Sequence, residues 1–234
     1  MRLTIVGCSG SYPGPDSPAS CYLLEHDGHR ILLDMGNGSV GALHRYGDPY
    51  DLDAILISHL HVDHCIDLTS YYVMRTWHPD GAHPCLPVYG PAGTQERMLA
   101  AYDMGPKQSM QGRFEFIDHR ITTEIGPFRI TTARVDHVVT AYGFRVEAGG
   151  RTLVYSGDTA PTPALVDLAR GADLALFEAA FLAMELGRPV RVQWTRQEET
   201  AWDTKGPAYA VTMRGGVDGK GGLVALDFDA RAAD

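Results

Sequence analysis

Ser58-His-Leu-His-Val-Asp-His64 gathers three imidazoles and a carboxylate into the six positions 59–64. It follows directly on Asp51-Leu-Asp-Ala-Ile-Leu-Ile-Ser58, a continuous apolar run of the kind found in a buried strand. Histidines one residue apart lie on the same side of an extended segment, and the Asp63-His64 pair on the next turn can serve an adjacent metal. The alternative is a polar loop whose histidines merely cluster. Packing gives no reason for such density, whereas neutral imidazole is the commonest metal ligand, so the stretch reads as a candidate metal centre at the end of a strand.

Outward from this stretch the pattern is one of grouped strands. Arg2 to Val6 alternates and runs into the Gly/Pro-rich stretch Gly7–Pro15; Cys21–Leu24 and Arg30–Asp34 flank Asp27-Gly28 as a hairpin; a short helix is expected over Val40–Tyr46. Helices are expected at Ile66–Trp77 and from a Thr94 cap to about Tyr102, with a short strand Pro87–Gly90 between them. Strands follow at Phe114–Ile117, Phe128–Val135, Tyr142–Val146 and Thr152–Tyr155, the last two turning at Gly149-Gly150. A helix at Pro163–Ala169 and a strand at Leu174–Phe177 come next. This rhythm predicts an α/β (α+β) fold of two β-sheets covered by helices rather than strict βαβ alternation. Beyond about Ala183 no period is visible until Leu223–Phe228.

The chain has 234 residues, 44% hydrophobic and 21% charged, which is ordinary globular composition and suits one domain over 1–234. No run approaches the roughly 20 apolar residues of a membrane span, and Met1–Gly7 is too short for a signal-peptide core, so a cytoplasmic, membrane-free protein is expected. Cys8, Cys21, Cys65 and Cys85 form no Cys-x-x-Cys pair and read as reduced, small buried hydrophobes. A net charge of −9 repels phosphate backbones and disfavours non-specific nucleic-acid binding. All ten histidines lie between His26 and His137. Of these, His26, His29, His44, His78, His83 and His119 read as surface or packed side chains.

His59-x-His61-x-Asp63-His64 resembles the signature of the metallo-β-lactamase superfamily, and the resemblance extends to Val135-Asp-His137 and Tyr155-Ser-Gly-Asp158-Thr. Within it the chain is most similar to the phosphodiesterase branch, ribonuclease Z and small bacterial cyclic-nucleotide phosphodiesterases. Gly7–Pro13, Ser20–Leu24, Leu32–Gly36 and Phe177-Glu-Ala-Ala-Phe181 look like that branch's landmarks. The resemblance implies an αββα sandwich with the site at one edge of two mixed sheets. It implies one zinc held by His59, His61 and His137 and a second by Asp63 and His64, with Asp158 bridging both. Asp63 either orients or deprotonates the attacking water, or only ligates. Asp34 either holds a metal-ligating histidine through its second nitrogen or is a turn residue. Glu178 is a landmark acid or a cap, and Ser9 and Ser11 lie in a phosphate-facing loop or a plain turn.

The family likeness covers about residues 1–181, and two departures qualify it. Ribonuclease Z carries a tRNA-gripping arm between the third histidine motif and the aspartate, whereas His137 and Asp158 are only 21 positions apart. The family also supplies a further histidine to the second metal, and none follows His137 here. Two zinc ions are therefore expected from the family and one from the ligands present, with water, Glu185 or Asp227 as substitutes. Residues 182–234 are expected to be a divergent, poorly ordered ending, from a frameshift or otherwise.

The resulting expectation is a zinc-dependent metallo-hydrolase that cleaves a small phosphodiester, 3′,5′-cyclic AMP first among them, by metal-activated hydroxide, with a homodimer as the oligomer many relatives form. The alternatives are a tRNA 3′-end endoribonuclease, a hydrolase of a lactone, thioester or β-lactam, and a degenerate metal-binding protein with little activity because its last ligand histidine is missing.

Overall fold

Alternation within the strands decides the layering. In β2 (Cys21–His26), β3 (His29–Leu33) and β4 (Ala54–Leu56), Leu23, Leu32 and Ile55 belong to one buried cluster, while Leu24, Ile31, Leu33 and Leu56 belong to another. Strands apolar on both faces need a cover on each side. The computed structural model describes residues 1–79, 81, 83–105 and 108–176, together with the backbone of Tyr209–Val217 and Leu223–Ala232, and it shows both covers.

Two compact units partition the chain, Met1–Gln193 and Trp194–Asp234. In the first, a six-stranded sheet runs in the order β1 (Arg2–Gly7), β2, β3, β4, β5 (Leu86–Gly90), β6 (Phe114–Asp118). Its β1–β2–β3 part is antiparallel and its β3–β4–β5–β6 part parallel. The second sheet contains β7 (Thr122–Ile125), β8 (Phe128–Val135), β9 (Ala141–Ala148), β10 (Arg151–Tyr155) and β11 (Leu174–Leu176), ordered β11-β10-β9-β8-β7.

Leu24, Ile31, Leu33 and Leu56 of the first sheet meet Phe128, Ile130, Phe144, Val146, Leu153 and Tyr155 of the second, forming the layer between the sheets. On the outer face of the first sheet, Leu23, Leu32, Ile55 and Val88 pack with Leu68 and Tyr71 of α3 (Asp67–Thr76) and Met98 of α4 (Thr94–Ala101). The outer face of the second sheet is covered by Leu165, Leu168 and Ala169 of α5 (Pro163–Ala169) against Val135, Ala141 and Val154. Each fully buried Leu, Ile or Phe contributes roughly 1.5–3 kcal/mol, so these three clusters dominate the stability of the sandwich. Two shorter helices, α1 (Ser39–Leu43) and α2 (Val62–Cys65), follow β3 and β4.

The two helix-covered sheets read from the grouped strands, and the αββα sandwich that the resemblance implies, are what is observed. The expected strand over 51–58 shrinks to β4, because Pro49–Asp51 forms a 3-10 turn whose Tyr50 N–H donates to Asp48 Oδ1 at 2.9 Å. Thr94 does not cap α4: Gly93 stands at the cap with φ 91°, and the Thr94 hydroxyl donates to the Pro91 carbonyl. Strand β7 was not foreseen. Cys21 and Cys65 are buried as expected, but Cys8 is half-buried and Cys85 exposed, since Cys85 lies before β5 rather than within the sheet.

The second unit contains an antiparallel hairpin of β12 (Tyr209–Val217) and β13 (Leu223–Ala232), with Tyr209 opposite Ala232 and Val217 opposite Leu223. The strand read at Leu223–Phe228 lies within β13, and β12 is new. The landmark Phe177–Phe181 with Glu178, together with Glu185 and the side chain of Asp227, lies outside the described residues.

Candidate metal centre

Four strands deliver their C-terminal ends to one edge of the sandwich. Asp34 follows β3, the Ser58–His64 stretch follows β4, and His137 and Asp158 follow β8 and β10. An antiparallel bridge between Asp136 and Ala160 ties the last two loops together. The backbone then allows three close approaches. Gly36 lies where a Cβ would come within 1.9 Å of the Asp63 carbonyl oxygen. Gly157, at φ +55°, brings its loop against Ser58. The Tyr142 N–H of β9 donates to the Ser58 carbonyl at 3.0 Å.

All six residues singled out in the sequence meet at this edge, in two groups. His59, His61, His137 and Asp158 form one, and Asp63, His64 and Asp158 the other, with the ligand atoms in each group within 4.8 Å of one another. His61 Nδ1 lies 3.0 Å from His59 Nε2 and 3.1 Å from His137 Nε2. Asp158 faces both groups: its Oδ2 is 3.8 Å from His59 Nε2 and 4.0 Å from His137 Nε2, and its Oδ1 is 3.3 Å from His64 Nε2. Asp63 Oδ2 completes the second group, 3.6 Å from His64 Nε2. His59 is fully buried, whereas the Asp158 side chain is 28% exposed, so the edge opens to solvent on the Asp158 side.

Behind the six stands Asp34, a buried carboxylate at φ 58°. Of the two roles left open for it in the sequence, it fills both: it turns the chain, and its Oδ2 accepts from His64 Nδ1 at 2.6 Å. Ser58 donates its N–H to Asp34 Oδ1 at 2.6 Å and its hydroxyl to Oδ2 at 2.7 Å. With the serine proton committed, His59 Nδ1–H must be the donor in its 3.0 Å contact with Ser58 Oγ. That leaves His59 Nε2 as a lone pair aimed into the first group. Inward lone pairs converging with a carboxylate are a donor set suited to a divalent cation, and the chain's residues fit one.

Burial works against charge on His64, but Asp34 and Asp158 beside it outweigh burial and push its pKa up to about 10. His59 behaves oppositely, drawn down to about 4 by burial and by the charge on His64. Asp158 is held below the usual carboxylate range: its partial burial opposes this, and His64 overcomes it. In the chelator-treated protein a histidine raised in the folded state stabilises fully below its unfolded pKa of about 6.5, and that contribution is lost as pH rises towards about 10. The denaturant midpoint is therefore expected to fall from about pH 6.5 upward. Between there and about pH 8.5 the slope reports His64, because the raised thiols of Cys21 and Cys65 add in the same sense only above that range. A midpoint flat across that window contradicts the charged His64–Asp34 pair.

Of the remaining histidines, His119, His78 and His83 pack against aromatic rings, while His44 is exposed. His119 Nε2–H donates to the Ile57 carbonyl at 2.8 Å, and its ring stands against Tyr142 and Phe144. His78 and His83 pack with Tyr50. The Ser9 hydroxyl turns inward onto the Tyr12 and Pro18 carbonyls, which makes it a turn residue of its loop. The network partners that sequence reasoning missed are Ser58, which stood unremarked in the opening stretch, and Tyr155, whose hydroxyl donates to Asp34 Oδ2 at 2.6 Å. No described helix is long and apolar enough to cross a membrane.

Residues 29–211 match the family described as the Beta-lactamase superfamily domain, a match that runs past residue 181. The chain is 42% identical over 188 residues to the uncharacterized protein ML1173 of Mycobacterium leprae, covering 77% of this chain and 66% of that one. It is 30% identical over 191 residues to the probable metallo-hydrolase YhfI of Bacillus subtilis, covering 80% and 75%. It is 26% identical over 252 residues to the ribonuclease Z of Myxococcus xanthus, covering 86% and 81%. The crystal structure of YhfI superposes with a TM-score of 0.64 at 27% identity, over 74% of this chain and 69% of that one. The chain thus spans about two thirds of the length of ML1173.

Proposed function

The chain belongs to the beta-lactamase superfamily, and from that premise we propose that it is a zinc-dependent phosphodiesterase acting on a small phosphodiester, with 3′,5′-cyclic AMP the first substrate to test. The observation that carries this reading is the Asp158 carboxylate, whose two oxygens face two separate ligand groups. The first group offers four donors and suits a tightly held ion; the second offers three and leaves room for substrate or water. Bound divalent cations would supply Lewis acidity there, offsetting phosphate charge and making water more acidic.

The chain's own residues do the rest. His59 presents a lone pair because Ser58 holds its other nitrogen, and His64, whose Nδ1–H is held by Asp34, would present one at Nε2 once a cation displaces its second proton. Asp63, 8% exposed at the rim of the second group, is placed to ligate and to accept the proton of an attacking water. The leaving ribose oxygen takes its proton from water or from a site acid.

A small substrate is favoured over tRNA by two facts. The net charge is −9, and residues 138–157, where an arm would have to stand, are taken up largely by the β9–β10 hairpin. The ribonuclease Z relative supports tRNA 3′-end cleavage as the second reading. Elemental analysis of the purified protein, combined with assays on bis-p-nitrophenyl phosphate, cyclic AMP and precursor tRNA, separates the outcomes. Close to two zinc per chain with turnover of the small esters is expected. Cleavage of precursor tRNA at its 3′ trailer without turnover of cyclic AMP replaces the small-substrate reading with the second one. One zinc or none, with no hydrolysis of any phosphodiester, leaves a metal-binding protein without turnover.

A further inference from the structure

We propose that Tyr155 is a positioning residue for this centre: its hydroxyl, reaching across from the second sheet, fixes the Asp34 carboxylate that orients one histidine in each ligand group. The proposal rests on the metal-binding reading of the two groups and goes beyond it.

Asp34 is fully buried, and its carboxylate takes four donors. Oδ1 accepts the Ser58 N–H; Oδ2 accepts the Ser58 hydroxyl, His64 Nδ1–H and the Tyr155 hydroxyl, at 2.7, 2.6 and 2.6 Å. Two arms leave this carboxylate. One runs directly to His64 and the second group; the other passes through Ser58 Oγ to His59 Nδ1 and the first group. Both arms and the carboxylate itself come from segments that follow strands of the first sheet. Of the four donors only Tyr155 comes from the second sheet, 121 positions along the chain.

Packing fixes where that hydroxyl sits. The Tyr155 ring lies 5.0 Å from the Tyr22 ring and 6.3 Å from that of Phe144, centroid to centroid, in the layer between the sheets. A phenylalanine would fill this layer equally well; what the tyrosine adds is one donor to a buried charge. A hydrogen bond to a charged group is about twice as strong as a neutral one. Without it, Oδ2 keeps two donors, and the carboxylate is free to turn about its Ser58 contacts. The His64 contact has no backbone anchor of its own, so it loosens first. The Ser58 arm, held by both the N–H and the hydroxyl, keeps His59 in place.

The test is Co(II) titration of the metal-free protein, followed by d–d absorbance. Wild type is expected to take up two equivalents, the four-donor group filling first. Tyr155→Phe should bind the first as wild type does and the second about tenfold more weakly, the lower end of the 10–100-fold range for losing an outer hydrogen-bond partner of a metal ligand. Ser58→Ala should weaken the first equivalent instead. Phe144→Leu loosens packing around the same ring without touching the hydroxyl, and should lower stability while leaving both affinities unchanged. Tyr155→Phe with wild-type affinity for both equivalents overturns the proposal, as does Phe144→Leu weakening the second equivalent equally at matched stability, or Ser58→Ala weakening neither. If wild type takes up no cobalt, the metal-binding reading itself falls and takes this one with it. Two equivalents in wild type with an unchanged Tyr155→Phe variant removes only the role of Tyr155.

Discussion

His61→Ala is expected to abolish hydrolysis and remove the metal of the four-donor group while leaving the fold intact. His61 Nδ1 is the hub of that group, 3.0 Å from His59 Nε2 and 3.1 Å from His137 Nε2. Without it two imidazoles and one carboxylate oxygen remain, too few for a closed tetrahedral site. The loss in kcat/KM should exceed the roughly 10–100-fold that removing an outer hydrogen-bond partner costs, because here a ligand itself is gone. His61 starts a four-residue helix and contributes no side chain to the apolar clusters, so the denaturant midpoint of the chelator-treated variant should match chelator-treated wild type. The paired measurements are zinc per chain and the rate with bis-p-nitrophenyl phosphate. Activity equal to wild type would refute a metal mechanism altogether.

Gly36→Ala should act from the opposite direction, through the backbone. A Cβ there falls 1.9 Å from the Asp63 carbonyl oxygen and 2.8 Å from the Ala19 Cβ. Neither side can easily give way. The Gly36 N–H is bonded to the Ser20 carbonyl, the Met35 N–H to the His64 carbonyl and the Asp67 N–H to the Met35 carbonyl, all within 3.1 Å. Accommodating one methyl group means breaking part of this lattice, so the cost is expected at or above the upper end of the 1–3 kcal/mol typical of overpacking. Because the segment that must move carries Asp63 and His64, zinc content should fall along with the denaturant midpoint. Wild-type values for both would show that the two loops are not locked together as described.

The contrast between these positions explains what the sequence could disclose. His59, His61, Asp63 and His64 were legible because one short turn carries them all, and His137 and Asp158 because Val135-Asp-His137 and Tyr155-Ser-Gly-Asp158-Thr resemble the family's next two motifs. The sandwich was legible from its strands: β8 is buried at Phe128, Ile130, Thr132 and Val135 with more exposed positions between them, and β10 ends in the apolar run Leu153–Tyr155, which is covered on both faces. Tyr155 was not, since a tyrosine closing an apolar strand looks like core until its hydroxyl is seen against Asp34. Asp34 was undecided because a left-handed turn residue and a histidine-holding carboxylate look alike along the chain; the folded protein uses one residue for both. Strand β7, Thr122–Ile125, was missed for want of apolar content, with two exposed positions and one buried. For His119 the sequence left surface and packed roles open, because the partner that decides between them, the Ile57 carbonyl, is 62 positions away.

The division of the cluster between the two sheets also sets a timetable. Asp158 lies 99 positions after His59, and the hydroxyl that braces Asp34 comes only three positions before Asp158. At typical translation speeds a ribosome needs roughly 5–20 s to cover that interval, during which the nascent chain exposes four potential ligands, at positions 59–64, with nothing opposite them. The four-donor group is complete only once Asp158, which follows β10, has been made.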